Sequence, residues 1–264
     1  WDHINVFPTY ENYVSQFQIF VDSIVNGGSI TYNAEDEEVV KVVDASVSTI
    51  RKFPYHTPSY EIKDGRTYIE TSEGPMPIEI FGKHNINNLA GAKWICQNMG
   101  IDEDDFFEAI ATFSGASKRL EKIAEVGNTL LFKDFAHSPS KVIATTKAVK
   151  EQYPDRKLIA CLELHTYSSL NAEFLTHYKE ALNAADIASV FYSPKSVEIK
   201  QLEEVTEDQI KNAFQRTDLN IFTNPASFET FLYEQNYKNT VLLLMSSGDY
   251  GGLNLHALID HISK

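Results

Sequence analysis

Five apolar runs lie between residues 129 and 246: TLLFKDFA, KLIACLEL, IASVFY, LNIFT and TVLLLMS. Each is followed by a segment with helical spacing, at about 139–153, 171–185, 206–214, 225–236 and 253–263. A strand that is apolar at successive positions must be covered on both faces. Helices between such strands supply the cover, and the outcome is a mostly parallel sheet in an α/β domain. The second half of the chain therefore reads as a doubly wound α/β domain. Ligands of such sheets sit beyond the carboxyl ends of the strands. Those ends carry Asp134 and His137, Glu163 and His165, and Ser246-Ser247-Gly248-Asp249.

The first half has a different texture. TYENYVSQFQIFVDSIV has apolar residues at helical spacing, with Thr9 as N-cap. SITYNA reads as a short strand and 35–50 as a helix with an acidic start. Residues 59–81 alternate around an Asp64-Gly65 hairpin turn. GKHNINNLAGAKWICQNMG reads as a helix ending near Gly100, and DEDDFFEAIATFSG as another. No internal repeat or low-complexity segment occurs.

The net charge of −14 supplies no basic face for nucleic acid, although a local cationic pocket for a phosphorylated ligand remains compatible with it. The apolar runs are too short to span a bilayer, so no membrane partner is expected. Cys96 and Cys161 lack metal-type spacing and read as reduced, buried residues of a cytoplasmic protein. The chain starts at Trp1 in what reads as mid-domain sequence, so a missing front half is expected.

Several clusters could carry chemistry. In DFAHSP, Ser138 and Pro139 start a helix as cap and first residue, and His137 is a candidate base or ligand group. In LELHTYSSLN, His165 ends a strand and Thr166, Ser168 and Ser169 follow. His137 and His165 would approach each other if their strands were neighbours. In GKHNINN, Asn85 and Asn88 share one side of a helix start, where amides can pair with a purine or simply cap the helix. Asp2 and His3 could contribute to a divalent-cation site, and Arg119 beside Lys118 could clamp a phosphate or merely be solvated. MSSGDYGGL is Gly-rich but is no dinucleotide fingerprint, and no G-x-x-x-x-G-K-[ST] loop occurs.

DHINVFPTYENYVSQF, GKHNINNLAGA, KRLEKIAE and DFAHSPSKVIATTKAV, in this order, resemble motifs of the Mur ligases, the ATP-dependent amide-forming ligases of peptidoglycan assembly. The resemblance covers nearly the whole chain. It implies that residues 1–113 are the later part of a central ATPase domain and that 114–264 form a Rossmann-like C-terminal domain for the amino substrate. ATP and Mg²⁺ are the implied cofactors. His3 becomes an implied Mg²⁺ ligand, and His84, Asn85 and Asn88 implied adenine contacts. Arg119 becomes a nucleotide phosphate contact and catalytic group, and Asp134 a ribose or nucleotide contact. His137, Ser138, His165, Thr166 and Ser168 become candidates for the incoming substrate, with His137 also catalytic.

The branch that acts on UDP-N-acetylmuramate fits best. KRLE, DFAHSP and MSSGDYGG look more like the members that attach the peptide L-alanyl-γ-D-glutamyl-meso-diaminopimelate during peptidoglycan recycling. Attachment of L-alanine is the alternative, and a non-catalytic nucleotide- or peptide-binding module is the other. Two departures stand out. Phe17 lies nearest the position where several branches carry a carbamylated lysine, and Ser138 replaces a common second histidine. Without the phosphate loop and UDP domain, which the missing N-terminal part of the same protein would supply, the chain alone is expected to be inactive.

Overall fold

The computed structural model describes residues 1–264, which divide into two compact units. One comprises Trp1 and His3–Ser114, the other Asp2 and Gly115–Lys264.

The first unit opens with α1 (Tyr10–Asp22), capped by Thr9, whose Oγ1 accepts the Asn12 amide at 3.1 Å. Strand β1 (Ser29–Asn33) leads to α2 (Glu37–Ala45), capped by Asp36. The helix expected over 35–50 stops at Ala45, because the chain turns into β2 (Arg51–Tyr55), which pairs parallel with β1. RKFPY carries two cations and a proline, so its strand character is invisible to an apolar-periodicity reading. An antiparallel meander follows: β3 (Tyr60–Lys63), β4 (Arg66–Thr71) and β5 (Gly74–Ile78). Helices α3 (Lys83–Asn98) and α4 (Glu103–Ala111) bury Ile86, Leu89, Phe106 and Phe107 against Ile69 and Ile78 of the meander.

Glu35 ties this unit together. Its carboxylate accepts the Thr57 amide at 2.6 Å and pairs with Lys83 at 2.9 Å. The Lys83 hydrogen bond, then the Thr57 amide, hold its pKa at about 2, well below the ordinary value. A carboxyl depressed on folding stabilises above its unfolded pKa and loses that contribution as pH falls through the folded one. Glu35→Gln should therefore lower the urea midpoint at pH 7. The gap from the parent should shrink between about pH 4.5, the unfolded carboxyl range, and about 2. A gap independent of pH would contradict this.

The second unit begins with the hairpin β6 (Glu121–Val126) and β7 (Thr129–Asp134), joined at Gly127-Asn128. It continues through α5 (Pro139–Gln152), β8 (Lys157–Glu163), β9 (Ile187–Phe191), α6 (Pro194–Ile199), α7 (Glu207–Phe214), β10 (Asn220–Phe222), α8 (Pro225–Tyr233), β11 (Thr240–Met245) and α9 (Leu255–Ile262). The sheet order is β10-β9-β8-β11-β7-β6, parallel except for β6. All six residues of β11 are buried, as are six of the seven in β8, which explains their unbroken apolar character.

The helix expected over 171–185 is replaced by 3₁₀ turns at Ser168–Leu170 and Phe174–Tyr178. Tyr178 stacks on Phe214, and its hydroxyl donates to the His137 carbonyl, so tertiary packing overrides the helical pattern.

Cys161 is fully buried in the sheet, and burial pushes its thiol up to about 12. Cys96 is half-buried rather than buried as expected, since α3 leaves its last two turns partly open. Both cysteines are free. A thiol reagent should therefore label one cysteine, Cys96, in the native chain and two after urea, as read by intact mass. Native labelling at Cys161 would overturn the assignment. No helix is long and apolar enough to cross a membrane.

Candidate active site

The carboxyl ends of β7, β11 and β8 are adjacent in the sheet and carry most of the polar residues singled out in the second unit. Because β11 lies between β7 and β8, His137 and His165 do not share a neighbouring pair of strands. The strands that lead to them are two spacings apart, roughly 10 Å. The three ends are nevertheless linked. The Ser246 amide donates to the Asp134 carbonyl at 2.9 Å, and the Ser246 hydroxyl donates to Glu163.

Asp134 ends β7 with 4% of its surface exposed. One carboxylate oxygen accepts the Leu120 amide at 2.7 Å, and the other accepts the Ala136 amide at 2.6 Å. Both oxygens are thus committed to backbone, and Asp134 holds the loop from Gly115 to Leu120 onto the strand end. Lys118 (φ 56°) and Leu120 (φ 46°) are left-handed non-glycine residues, a costly conformation that persists only where the surroundings fix it. Here the Lys118 amide donates to Glu121 at 2.7 Å, and the Lys118 carbonyl accepts from the Phe135 amide at 2.8 Å. Between them Arg119 is exposed, with its guanidinium 5.4 Å above the Phe135 ring. Phe135 supports the planar cation and leaves its N–H fork open to an anion.

His137 is 5% exposed, and both ring nitrogens are occupied. Nδ1 lies 2.8 Å from the Phe135 carbonyl, and Nε2 lies 3.0 Å from the Asp2 carboxylate. Each ring nitrogen thus faces an oxygen of the protein. In this arrangement His137 has no open nitrogen for a substrate proton. Ser138 occupies the N-cap position of α5, with Pro139 following, but its side chain makes no capping hydrogen bond.

At the end of β8, Glu163 is 2% exposed. It accepts from the Ser246 hydroxyl and from the Tyr250 amide at 2.9 Å, and His165 Nδ1 lies 3.5 Å away. Burial pushes its pKa up, but the His165, Ser246 and Tyr250 donors outweigh it and hold the carboxyl below its usual value. His165 is half-exposed, and its Nε2 takes no partner in the protein. Thr166 and Ser169 close the turn behind it by capping each other: the Thr166 amide donates to Ser169 Oγ at 3.0 Å, and the Ser169 amide donates to Thr166 Oγ1 at 3.1 Å. Ser168 is 1% exposed. These hydroxyls form the frame of the loop rather than its face.

Glu163 and Gly248 stand among the strand-end residues singled out in the sequence, but no role was expected of them. A Cβ on Gly248 would lie 2.8 and 3.0 Å from the Glu163 oxygens and 3.0 Å from His165 Nδ1, so a larger residue there would push against both side chains. The signal was present in the sequence as an acid two residues before a histidine at an apolar strand end.

In the first unit, Gly82 (φ 88°) starts α3 without a side-chain cap. Asn85 donates from Nδ2 to the Phe81 carbonyl at 2.9 Å, and Asn88 is exposed. His84 is half-buried beside them. The buried amide of the string is Asn87, which donates to Thr57 Oγ1 at 3.0 Å and to Asn33 Oδ1 at 3.3 Å and anchors the helix start. His3 (φ 57°) is exposed, and no group of three His, Cys, Asp or Glu side chains comes together that could hold a metal ion. Phe17, 48% exposed, lines a cavity of about 480 Å³ with Tyr10, Tyr13 and Phe20, an apolar wall with no cation in it.

No family model matches the chain. A UDP-N-acetylmuramate–L-alanine ligase of Lactococcus lactis subsp. cremoris is 28% identical over 217 residues, which is 75% of this chain and 46% of the relative. The crystal structure of a murein peptide ligase from Psychrobacter arcticus superposes with a TM-score of 0.65 at 18% identity, covering 95% of this chain and 54% of the other. A MurF ligase from Thermotoga maritima, solved in complex with ADP, gives 0.67 at 15% identity, with 97% and 58% covered. The chain spans about half the length of the curated relatives it matches.

Proposed function

We propose, for a chain that belongs to the Mur ligase family, that it is the amine-receiving half of an ATP-dependent ligase attaching a peptide to UDP-N-acetylmuramate. The observation that carries this is the carboxyl edge of the second sheet. There the ends of β7, β11 and β8 are linked by hydrogen bonds, the β7 end carries a stacked guanidinium, Arg119, and the β8 end carries a half-exposed histidine, His165. In the reading we favour, residues 1–113 complete a central ATPase domain and 114–264 hold the amino substrate.

The chemistry asked of these residues is limited. In the complete ligase, ATP supplies a phosphoryl group that turns the muramate carboxylate into an acyl phosphate. Arg119, held by the strained Lys118–Leu120 turn, offers a fixed cation to phosphate oxygens. Asp134 and Phe135 position it. His84, Asn85 and Asn88 remain the nucleotide-base candidates: Asn85 keeps its carbonyl oxygen and Asn88 its whole amide for a ligand. His137 and Ser138, buried at the start of α5, shape the floor of the substrate site, and His165 with the 166–169 turn forms its wall. No step is assigned to a metal, since His3 alone does not make a site. A role in peptidoglycan synthesis in the cytoplasm accords with this reading.

L-Alanine is the alternative amine, favoured by the name of the Lactococcus relative. A phosphate-release assay on the complete ligase, with UDP-N-acetylmuramate and either L-alanyl-γ-D-glutamyl-meso-diaminopimelate or L-alanine, separates the two. The peptide should drive release, and turnover with L-alanine alone would sink the peptide assignment. Calorimetry addresses the third reading, a non-catalytic module. The 264-residue chain should bind peptide while binding ATP weakly, and tight ATP binding would contradict an incomplete nucleotide site.

A further inference from the structure

The geometry assigns His165, held by the buried carboxylate of Glu163, as the base that takes a proton from the substrate amine before it attacks the acyl carbon. The assignment rests on the ligase reading above and adds a residue role to it. Two histidines lie at the edge of this sheet, and their surroundings are opposite. His137 has both nitrogens occupied and 5% of its surface exposed. His165 has one nitrogen 3.5 Å from a carboxylate whose side chain is 3% exposed, while 41% of its own side chain is open to solvent.

A base needs a bare nitrogen and a second group that fixes the tautomer leaving it bare. Glu163, as an ionised acceptor, favours the proton on Nδ1, which leaves the Nε2 lone pair outward. Three features hold Glu163 in that role. The Ser246 hydroxyl and the Tyr250 amide fix its carboxylate, and the loop closes over it at Gly248, where a Cβ would press on the Glu163 oxygens. The depressed pKa of Glu163 agrees with an anion at neutral pH.

The substrate arrives as an ammonium, and Nε2 of His165 accepts one proton, giving an imidazolium paired with Glu163. The free amine forms the C–N bond, the carbon–oxygen bond to phosphate breaks, and the second nitrogen proton leaves with the departing phosphate. Glu163 never touches the substrate, so it is a positioning residue. His165 is the catalytic one.

Two measurements test this. Long-range ¹⁵N–¹H NMR of the 264-residue chain should show neutral His165 with its proton on Nδ1, and Glu163→Gln should move the population toward the Nε2–H tautomer. A parent that is already Nε2–H would overturn the assignment. In the complete ligase, amide formation with the peptide is compared with hydroxamate formation from hydroxylamine. Hydroxylamine is largely unprotonated at neutral pH and needs no base. His165→Ala and Glu163→Gln should raise the ratio of hydroxamate to amide by about 10²-fold, within the range for loss of a general base. They should lower kcat for the peptide while leaving its KM within about threefold. Equal losses with both nucleophiles would mean a structural role and overturn the proposal, as would no loss with either. Failure of the parent ligase to form hydroxamate from UDP-N-acetylmuramate and ATP would defeat the ligase reading itself. Glu163→Gln is nearly isosteric, so it guards against misfolding of the alanine variant.

Discussion

Replacing Asp134 by alanine should reduce the unfolding free energy of the second unit by about 2–6 kcal/mol, from about 1–3 kcal/mol for each buried amide left without an acceptor. The two amides are those of Leu120 and Ala136. That loss is a large share of the 5–15 kcal/mol typical of a domain. Asp134→Asn should be nearly as damaging, since only one of its two terminal atoms accepts and the other would point an N–H at an N–H. Urea unfolding followed by circular dichroism reads the size of the effect. Amide exchange at Leu120 and Ala136 locates it. A loss below about 1 kcal/mol would mean that Asp134 is free for a ligand, as a nucleotide contact would require. The loop that Asp134 pins is also the one that presents Arg119, so the variant should lose nucleotide-dependent activity even at temperatures where it stays folded.

Arg119→Ala should do the reverse. Arg119 is exposed, and its guanidinium packs over the ring of Phe135. Stability should change by less than about 0.5 kcal/mol, as for other surface substitutions. In the complete ligase kcat/KM should fall by about 10²–10³-fold, the cost of removing one preorganised group from a developing charge. Arg119→Lys should recover only part of this, because an ammonium neither stacks on Phe135 as a plane nor forks onto two oxygens. An unchanged kcat/KM in Arg119→Ala would show that the strained turn at Lys118–Leu120 serves the fold and not the reaction.

Much of the second unit was legible because its strands are buried on both faces and advertise it. TVLLLM and KLIACLE became β11 and β8, and Ser138-Pro139 marked a helix start. The order of those strands was not legible. No local pattern tells that β11 inserts between β7 and β8, and that insertion is what separates His137 from His165. Strand β6 escaped because EKIAEV carries three charges on an edge, although the Gly127-Asn128 pair was a readable hairpin signal.

Site chemistry was legible as residue type and not as role. Asp134, His137 and Thr166 were correctly seen to lie near the sheet edge, yet their polar atoms turn out to be engaged by backbone or by buried side chains. A sequence shows which groups could bind a ligand, and only packing shows which of them remain open. His165 stands out only when the occupancy of each ring nitrogen is counted.

The most direct test of the account is an amide chemical-shift titration of the 264-residue chain with L-alanyl-γ-D-glutamyl-meso-diaminopimelate. If the carboxyl edge of the second sheet holds the amino substrate, saturable shifts should concentrate at 135–138, 164–169 and 246–250, with the His165 side chain among them. Saturable shifts confined to the first unit, or none at millimolar peptide, would contradict it.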